Sequence, residues 1–118
     1  MVSEKLLAEL KEKDELQFSV KGRRSGKEIP RPVWFVLEGK ELLLLPVKGS
    51  STQWYRNILK DPWAKISLAG QTYTGKTQPI RAKKGVSEVV ELFRKKHGVG
   101  DVKKYYSKLD VAARLPLT

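Results

Sequence analysis

Two apolar runs constrain this fold more than any other feature. Val33-Trp34-Phe35-Val36-Leu37 and Leu42-Leu43-Leu44-Leu45-Pro46-Val47 stand on either side of Glu38-Gly39-Lys40-Glu41. Short apolar runs flanking a polar, glycine-containing turn read as a β-hairpin. A strand with one wet face alternates apolar with polar, and these do not. Each strand is apolar on both faces, so both faces need cover. One face meets a core. The other must be covered by a helix or by a second subunit.

The remaining segments supply further strands and helices. Ser3 caps a first helix with Leu6, Leu7 and Leu10 on one face. Leu16, Phe18 and Val20 alternate within a strand from Glu15 to Val20. Lys21 to Lys27 reads as a basic turn. Thr52 to Lys60 reads as a short helix stopped by Asp61-Pro62. A half-buried strand follows from Trp63 to Ala69, then a turn at Gly70-Gln71, then a strand from Thr72 to about Lys83. Ser87 caps a helix with a Val86, Val89, Val90 and Phe93 stripe, a Glu91–Lys95 pair and a Gly98 stop. Asp101 caps a last short helix carrying Tyr105 and Tyr106, and Val111 to Leu117 reads as a closing strand. Trp34 and Trp63 are expected to pack in the core. Short turns between most strands imply one mainly β (α+β) domain over residues 1–118, a small antiparallel barrel with helices at its edges.

Charge and composition narrow the chemistry. The formal net charge is +11 and the pI about 10.0. Residues 1–20 hold three Lys and five acidic residues, a net of −2, so the rest carries +13. Such a field attracts nucleic acid or a small ligand bearing several phosphates or carboxylates. A solvated lysine-rich surface is the plainer alternative. With no cysteine, disulfides, thiolate catalysis and cysteine-bound metal are excluded. No apolar run approaches membrane-spanning length, and Met1 to Glu12 is too charged for a secretory segment, so the cytoplasm is the default compartment. The lone His97 stands among Arg94, Lys95 and Lys96, where it satisfies a helix C-terminus rather than a metal. With one histidine and few late carboxylates, an enzyme of this composition draws its reactivity from a cofactor. No catalytic residue and no metal ligand is singled out.

The stretch Lys48-Gly49-Ser50-Ser51-Thr52-Gln53-Trp54-Tyr55-Arg56-Asn57 is the candidate site. It turns from an apolar strand into a helix whose N-terminus offers N–H groups and partial positive charge. Lys48 and Gly49 beside that terminus make a phosphate seat. Trp54 adds a flat apolar surface, and Asn57, one turn later, shares its helix face. In Gly22-Arg23-Arg24-Ser25-Gly26-Lys27, the paired guanidinium groups can bind phosphate or carboxylate. In a compact barrel, Arg23, Arg24 and Lys48 converge near the Trp54 helix.

Gly22-Arg-Arg-Ser-Gly26, Pro32-Val-Trp-Phe35, Gly39, Lys48-Gly49, Trp54-Tyr55, Asn57-Ile-Leu and Asp61-Pro62 together resemble the deazaflavin-dependent nitroreductase family. That family lies within the split-β-barrel flavin-binding superfamily that includes pyridoxamine-phosphate oxidase-like proteins. The resemblance covers roughly residues 15–84. It implies a six-stranded antiparallel split barrel, usually a homodimer, holding a phosphorylated deazaflavin or isoalloxazine in a groove. By position it places Arg23 and Arg24 at the cofactor tail and Pro32 after them. It places Lys48 and Gly49 at the phosphate, with Trp54 and Asn57 flanking phosphate and ring. Ser50-Ser51-Thr52-Gln53 replaces a longer loop that contains Asn-Pro in the family. The implied cofactor is 8-hydroxy-5-deazaflavin (coenzyme F-420), with FMN as the alternative. The implied activity is hydride transfer to a small organic acceptor. Two rivals stand beside it: a basic barrel that binds nucleic acid, and a flavin-binding dimer without catalysis.

Overall fold

The computed structural model describes residues 2–118. Helix α1, Glu4–Glu12, starts where Ser3 Oγ accepts the Leu6 N–H (3.1 Å), and it buries Leu6 and Leu10 completely. Strand β1, Glu15–Lys21, buries Leu16, Phe18 and Val20 on one face. The basic turn closes with the Gly22 N–H donating to Lys27 O and the Gly26 N–H to Gly22 O, both at 2.8 Å. Strand β2, Glu28–Trp34, follows, starting five residues before the apolar run. It carries Pro30 and Pro32, which can donate nothing to a ladder. It is an edge strand, pairing with β1 alone, and an edge is where proline is tolerated.

Strands β3, Val36–Glu38, and β4, Glu41–Leu44, form the expected hairpin. A single 3-10 turn, Gly49–Ser51, leads into helix α2, Gln53–Lys60. Strands β5, Trp63–Leu68, and β6, Gln71–Lys76, pair across the Ala69-Gly70 turn, and β7, Gln78–Ile80, follows. Helices α3, Lys83–His97, and α4, Val99–Tyr105, precede the last strand, β8, Ala112–Pro116.

The strands make two antiparallel sheets, β2-β1-β5-β6 and β3-β4-β8-β7, and no closed barrel. This corrects the single six-stranded barrel expected from the sequence. The reason lies in two bends. Phe35 interrupts β2–β3 and Thr77 interrupts β6–β7, so each of those chain passes contributes to both sheets. Counted as continuous passes, the eight segments are six. Strands that bend from one sheet into another are how stacked sheets share corners.

Two cores result. Phe18, Phe35, Leu42, Leu44, Trp54, Tyr55, Ile66 and Leu115 pack between the sheets and α2. Val36, Leu43 and Leu45 face the other way and meet Val86, Val89, Val90 and Phe93 of α3. The doubly apolar hairpin is thus covered on its outer side by the chain's own helix. Helix α3 begins four residues before Ser87, after Ala82, and no side chain caps it. Glu91 pairs with Arg94, not Lys95. Gly98, at φ 97°, ends α3 and starts α4, leaving Asp101 inside the first turn of α4. Trp63 is half-buried with the Lys21 ammonium 4.4 Å above its ring. No helix among the described residues is long and apolar enough to cross a membrane.

The end of α3 is fastened to the Phe35 bend. The Phe35 carbonyl accepts from Lys96 Nζ and from His97 Nε2, both at 3.0 Å. Lys96 also donates to Lys13 O (2.8 Å) and sits 3.9 Å over the Phe35 ring. Burial pulls the His97 imidazole below its ordinary value, with the Phe35 hydrogen bond opposing and the Lys96 charge adding. The unfolded chain therefore takes up this proton first as pH falls below about 6.5, and acid favours unfolding through His97 until its folded value is passed. In chemical denaturation, the native protein should lose more stability between about pH 7.5 and about pH 5.5 than His97→Gln does. Equal losses would show that His97 stays equally protonated in both states.

Candidate functional site

Helix α2 positions the site because it is anchored from below. Trp54, Tyr55 and Ile58 are buried, and the Trp54 ring meets Phe18 edge-on at 5.1 Å and 79°. That packing fixes the N-terminus of the helix beside edge strand β2. Thr52 occupies the N-cap position, yet its Oγ1 accepts the Lys48 N–H (2.8 Å), and no side chain caps the helix. The first-turn N–H groups of α2 therefore have no side-chain acceptor, and the helix end keeps its partial positive charge.

Three cavities lie along the seam between β2 and this helix, and Trp54 lines all of them. The first, about 400 Å³, is walled by Arg23, Arg24, Ser25, Arg31, Gln53 and Asn57. The second, about 480 Å³, shares Arg31 and Gln53 with it and adds Lys48, Ser51 and Thr52. The third, about 280 Å³, shares Pro32, Val33 and Val47 with the second and ends at Trp34, Tyr105 and Tyr106. The shared walls make one groove, basic at one end and aromatic at the other. Among the described residues, none of Arg23, Arg24, Arg31 and Lys48 has a salt-bridge partner. One carboxylate, Glu15, lines the aromatic end.

Six of the seven residues read from the sequence line this groove. Arg24, Pro32 and Lys48 are exposed on its wall, and Trp54 forms its floor. Arg23 and Asn57 are bound to each other. Asn57 Oδ1 accepts the Arg23 N–H (3.2 Å) and Arg23 Nη1 (2.8 Å), while Arg23 Nη2 reaches Gln53 Oε1 (2.8 Å). Asn57, 4% exposed, thus holds the basic turn onto α2. Gly49 stands outside the groove wall. It is buried with φ +55°, and a Cβ there would lie 2.1 Å from Asp110 Oδ1 and 2.9 Å from Lys108 O.

Sequence reasoning missed Arg31 and Trp34, and it left Tyr105 and Tyr106 without an assigned role. Arg31 lies in Pro-Arg-Pro, ahead of the apolar run where the strand was expected to start. Trp34, read as core, is half-buried and walls the groove. His97 stacks behind it at 4.7 Å and 11°, and Tyr105 and Tyr106 lie at 5.4 and 6.1 Å. Burial pushes the Tyr106 phenol well above its ordinary value, so it stays a neutral O–H donor at working pH. The clue available was the spacing of two adjacent tyrosines in a short terminal helix, which does not say where that helix docks.

Gly49→Ala adds a methyl where the neighbouring turn already sits and the backbone favours glycine. It should destabilise the protein by roughly 1–3 kcal/mol in chemical denaturation. An unchanged midpoint would mean that the two turns separate freely.

The family profile described as "Uncharacterized protein conserved in bacteria (DUF2255)" matches residues 6–114. No curated protein is significantly similar in sequence. Among solved structures, a reductase dependent on reduced coenzyme F-420 (FDR-A) superposes with TM-score 0.68 at 15% identity, over 87% of this chain and 94% of that one. The conserved hypothetical protein Rv2991 from Mycobacterium tuberculosis gives 0.74 at 16% identity, over 99% and 81%. A heme-binding protein from Mycobacterium smegmatis gives 0.67 at 16% identity, over 91% of this chain and 47% of that one. At these identities the likeness is one of fold.

Proposed function

The chain belongs to the DUF2255 family of uncharacterized bacterial proteins, and we propose that it is a small oxidoreductase binding a flat, anionic-tailed redox cofactor in this groove. The cofactor is coenzyme F-420, with FMN as the alternative, and it passes a hydride to a small organic acceptor. One observation carries the reading: unpaired cations, a helix N-terminus and an aromatic cleft occur in that order along a single trough. Similarity of fold to reductases that use F-420 supports it.

The residues present suit such a group. Arg24, Arg31 and Lys48 would take the phosphate and carboxylate oxygens by charge-assisted hydrogen bonds. Arg23, steadied by Asn57 and Gln53, would hold the Arg24 turn in place. Trp54 and Trp34, with Pro32 between, would present apolar faces to the ring and exclude water. Tyr105 and Tyr106 would close the same end, with Tyr106 offering a neutral donor. When bound, the cofactor supplies the hydride chemistry. No side chain here is assigned as its catalytic partner. The haem of a fold relative suits this chain less well, because the lone His97 is stacked on Trp34 and bonded to Phe35 O. The homodimer implied by resemblance stays part of this reading, with Val47 (44% exposed) and Tyr105 (50%) on the groove's aromatic rim.

Lys48→Ala should weaken cofactor binding by about 1.5–3 kcal/mol, read by fluorescence titration. Unchanged affinity would remove Lys48 from the seat. Absence of saturable binding to either cofactor by the native protein would defeat the reading itself.

A single nucleic-acid strand is the second reading, favoured by one feature. Exposed Tyr105 and half-buried Trp34 form one end of a groove whose other end is lined by unpaired cations, and a strand can stack its bases on such rings while its backbone follows the basic track. Its signature is affinity whose logarithm falls linearly with the logarithm of salt concentration.

A further inference from the structure

We propose that Asp110 is the positioning residue of the anion seat. It fixes the loop that carries Lys48, and with it the start of α2, against the turn that follows α4. The proposal rests on the groove being the ligand site.

The contacts are specific to one serine and one carboxylate. Asp110 Oδ1 accepts the Ser50 N–H at 3.0 Å, and Oδ2 accepts the Ser50 hydroxyl at 2.6 Å. The two carboxylate oxygens take the two donors of this serine one each, leaving each oxygen free for a further partner. The Lys108 ammonium donates to Ser50 Oγ (3.3 Å) and lies 3.6 Å from Asp110 Oδ2. The Asp110 charge is thereby offset locally and does not oppose an anion bound near Lys48. Three residues before Asp110 in the same turn, the Ser107 N–H and Oγ both donate to Val47 O, at 2.9 and 3.2 Å. Gly49 brings the two backbones close enough that no Cβ fits between them.

Lys48 is bracketed by these bonds. Its own N–H is held by Thr52 Oγ1, its predecessor by Ser107, and the residue two places on by Asp110. The turn that holds it continues directly from Tyr105 and Tyr106, which wall the aromatic end. The clamp therefore joins the basic and aromatic halves of the groove through Ser50, not through the ligand. Hydrogen bonds to a charged group contribute more than neutral ones. Asp110 is held below the usual carboxylate range chiefly by the Ser50 hydroxyl, so the charged form is the one that grips.

The test is a double-mutant cycle on the full chain, titrated with coenzyme F-420 and with FMN. Asp110→Ala should weaken whichever cofactor binds by about tenfold. Combined with Lys48→Ala, it should add little further loss, because it acts by placing Lys48. Asp110→Asn keeps an acceptor for the Ser50 N–H and should recover most of the affinity. Independent, additive losses would overturn the proposal, as would unchanged affinity in Asp110→Ala. Amide hydrogen exchange reads the clamp without ligand. Asp110→Ala should speed exchange at Ser50 and Ser107 while β1 and β5 keep their protection. If native protein binds neither cofactor, the functional reading fails, and unchanged exchange at those two amides overturns the clamp separately. Should Asp110→Ala not fold, Asp110→Asn carries both measurements, with a smaller change of the same sign.

Discussion

The burial of one face of α2 is the interaction on which the site depends. Trp54, Tyr55 and Ile58 pack into the core between the sheets, with Trp54 edge-on to Phe18 of β1. Burying side chains of this size contributes about 1.5–3 kcal/mol each, more than any exposed hydrogen bond at the groove. The helix cannot slide or rotate without losing that contact. Its N-terminus is therefore held beside β2 by apolar packing, and the polar contacts are built onto a fixed element. Asn57 and Gln53 project from the same helix and fasten Arg23 and the basic turn to it. The electrostatic character of the groove is in this sense a consequence of core packing two residues away.

A second constraint is the bend at Phe35. Where β2 gives way to β3, the chain leaves one sheet for the other, and the Phe35 carbonyl leaves the ladder. A buried carbonyl without a partner costs about 1–3 kcal/mol. Lys96 and His97 at the end of α3 supply donors to it. The same contact lays the His97 imidazole flat behind Trp34, so the helix covering the hairpin also backs the aromatic wall of the groove. Fold closure and site geometry share these side chains.

Much of this was legible in the residues. The doubly apolar hairpin announced that both of its faces need cover, and Ser3, Gly98 and Asp61-Pro62 marked helix ends. Arg23, Arg24, Pro32, Lys48, Trp54 and Asn57 do meet along one seam. What was not legible depends on long-range geometry. Pro30 and Pro32 argue against a strand locally, and only an edge position accommodates them, so β2 and Arg31 went unread. Ser87 looks like a cap by type, while the helix starts earlier because Arg81-Ala82-Lys83-Lys84 holds good helix formers and β7 ends at Ile80. Asn57 lies on the predicted face but spends its oxygen on Arg23. Gly49 was read as a ligand contact, while its φ and its closeness to Asp110 give it a steric role. No local pattern reveals that residues 107–110 dock on residues 47–50.

The three tryptophans allow the central claim to be tested in one spectrum. Trp34 and Trp54 line the groove, whereas Trp63 lies on β5 under Lys21. Nitrogen-15 labelled protein, titrated with coenzyme F-420 and then with FMN, reports all three indole N–H groups at once. Saturable shifts at Trp34 and Trp54, with Trp63 unmoved, are what a ring seated in the groove produces. Shifts confined to Trp63, or no saturable shift with either cofactor, would contradict a redox cofactor site between β2 and α2.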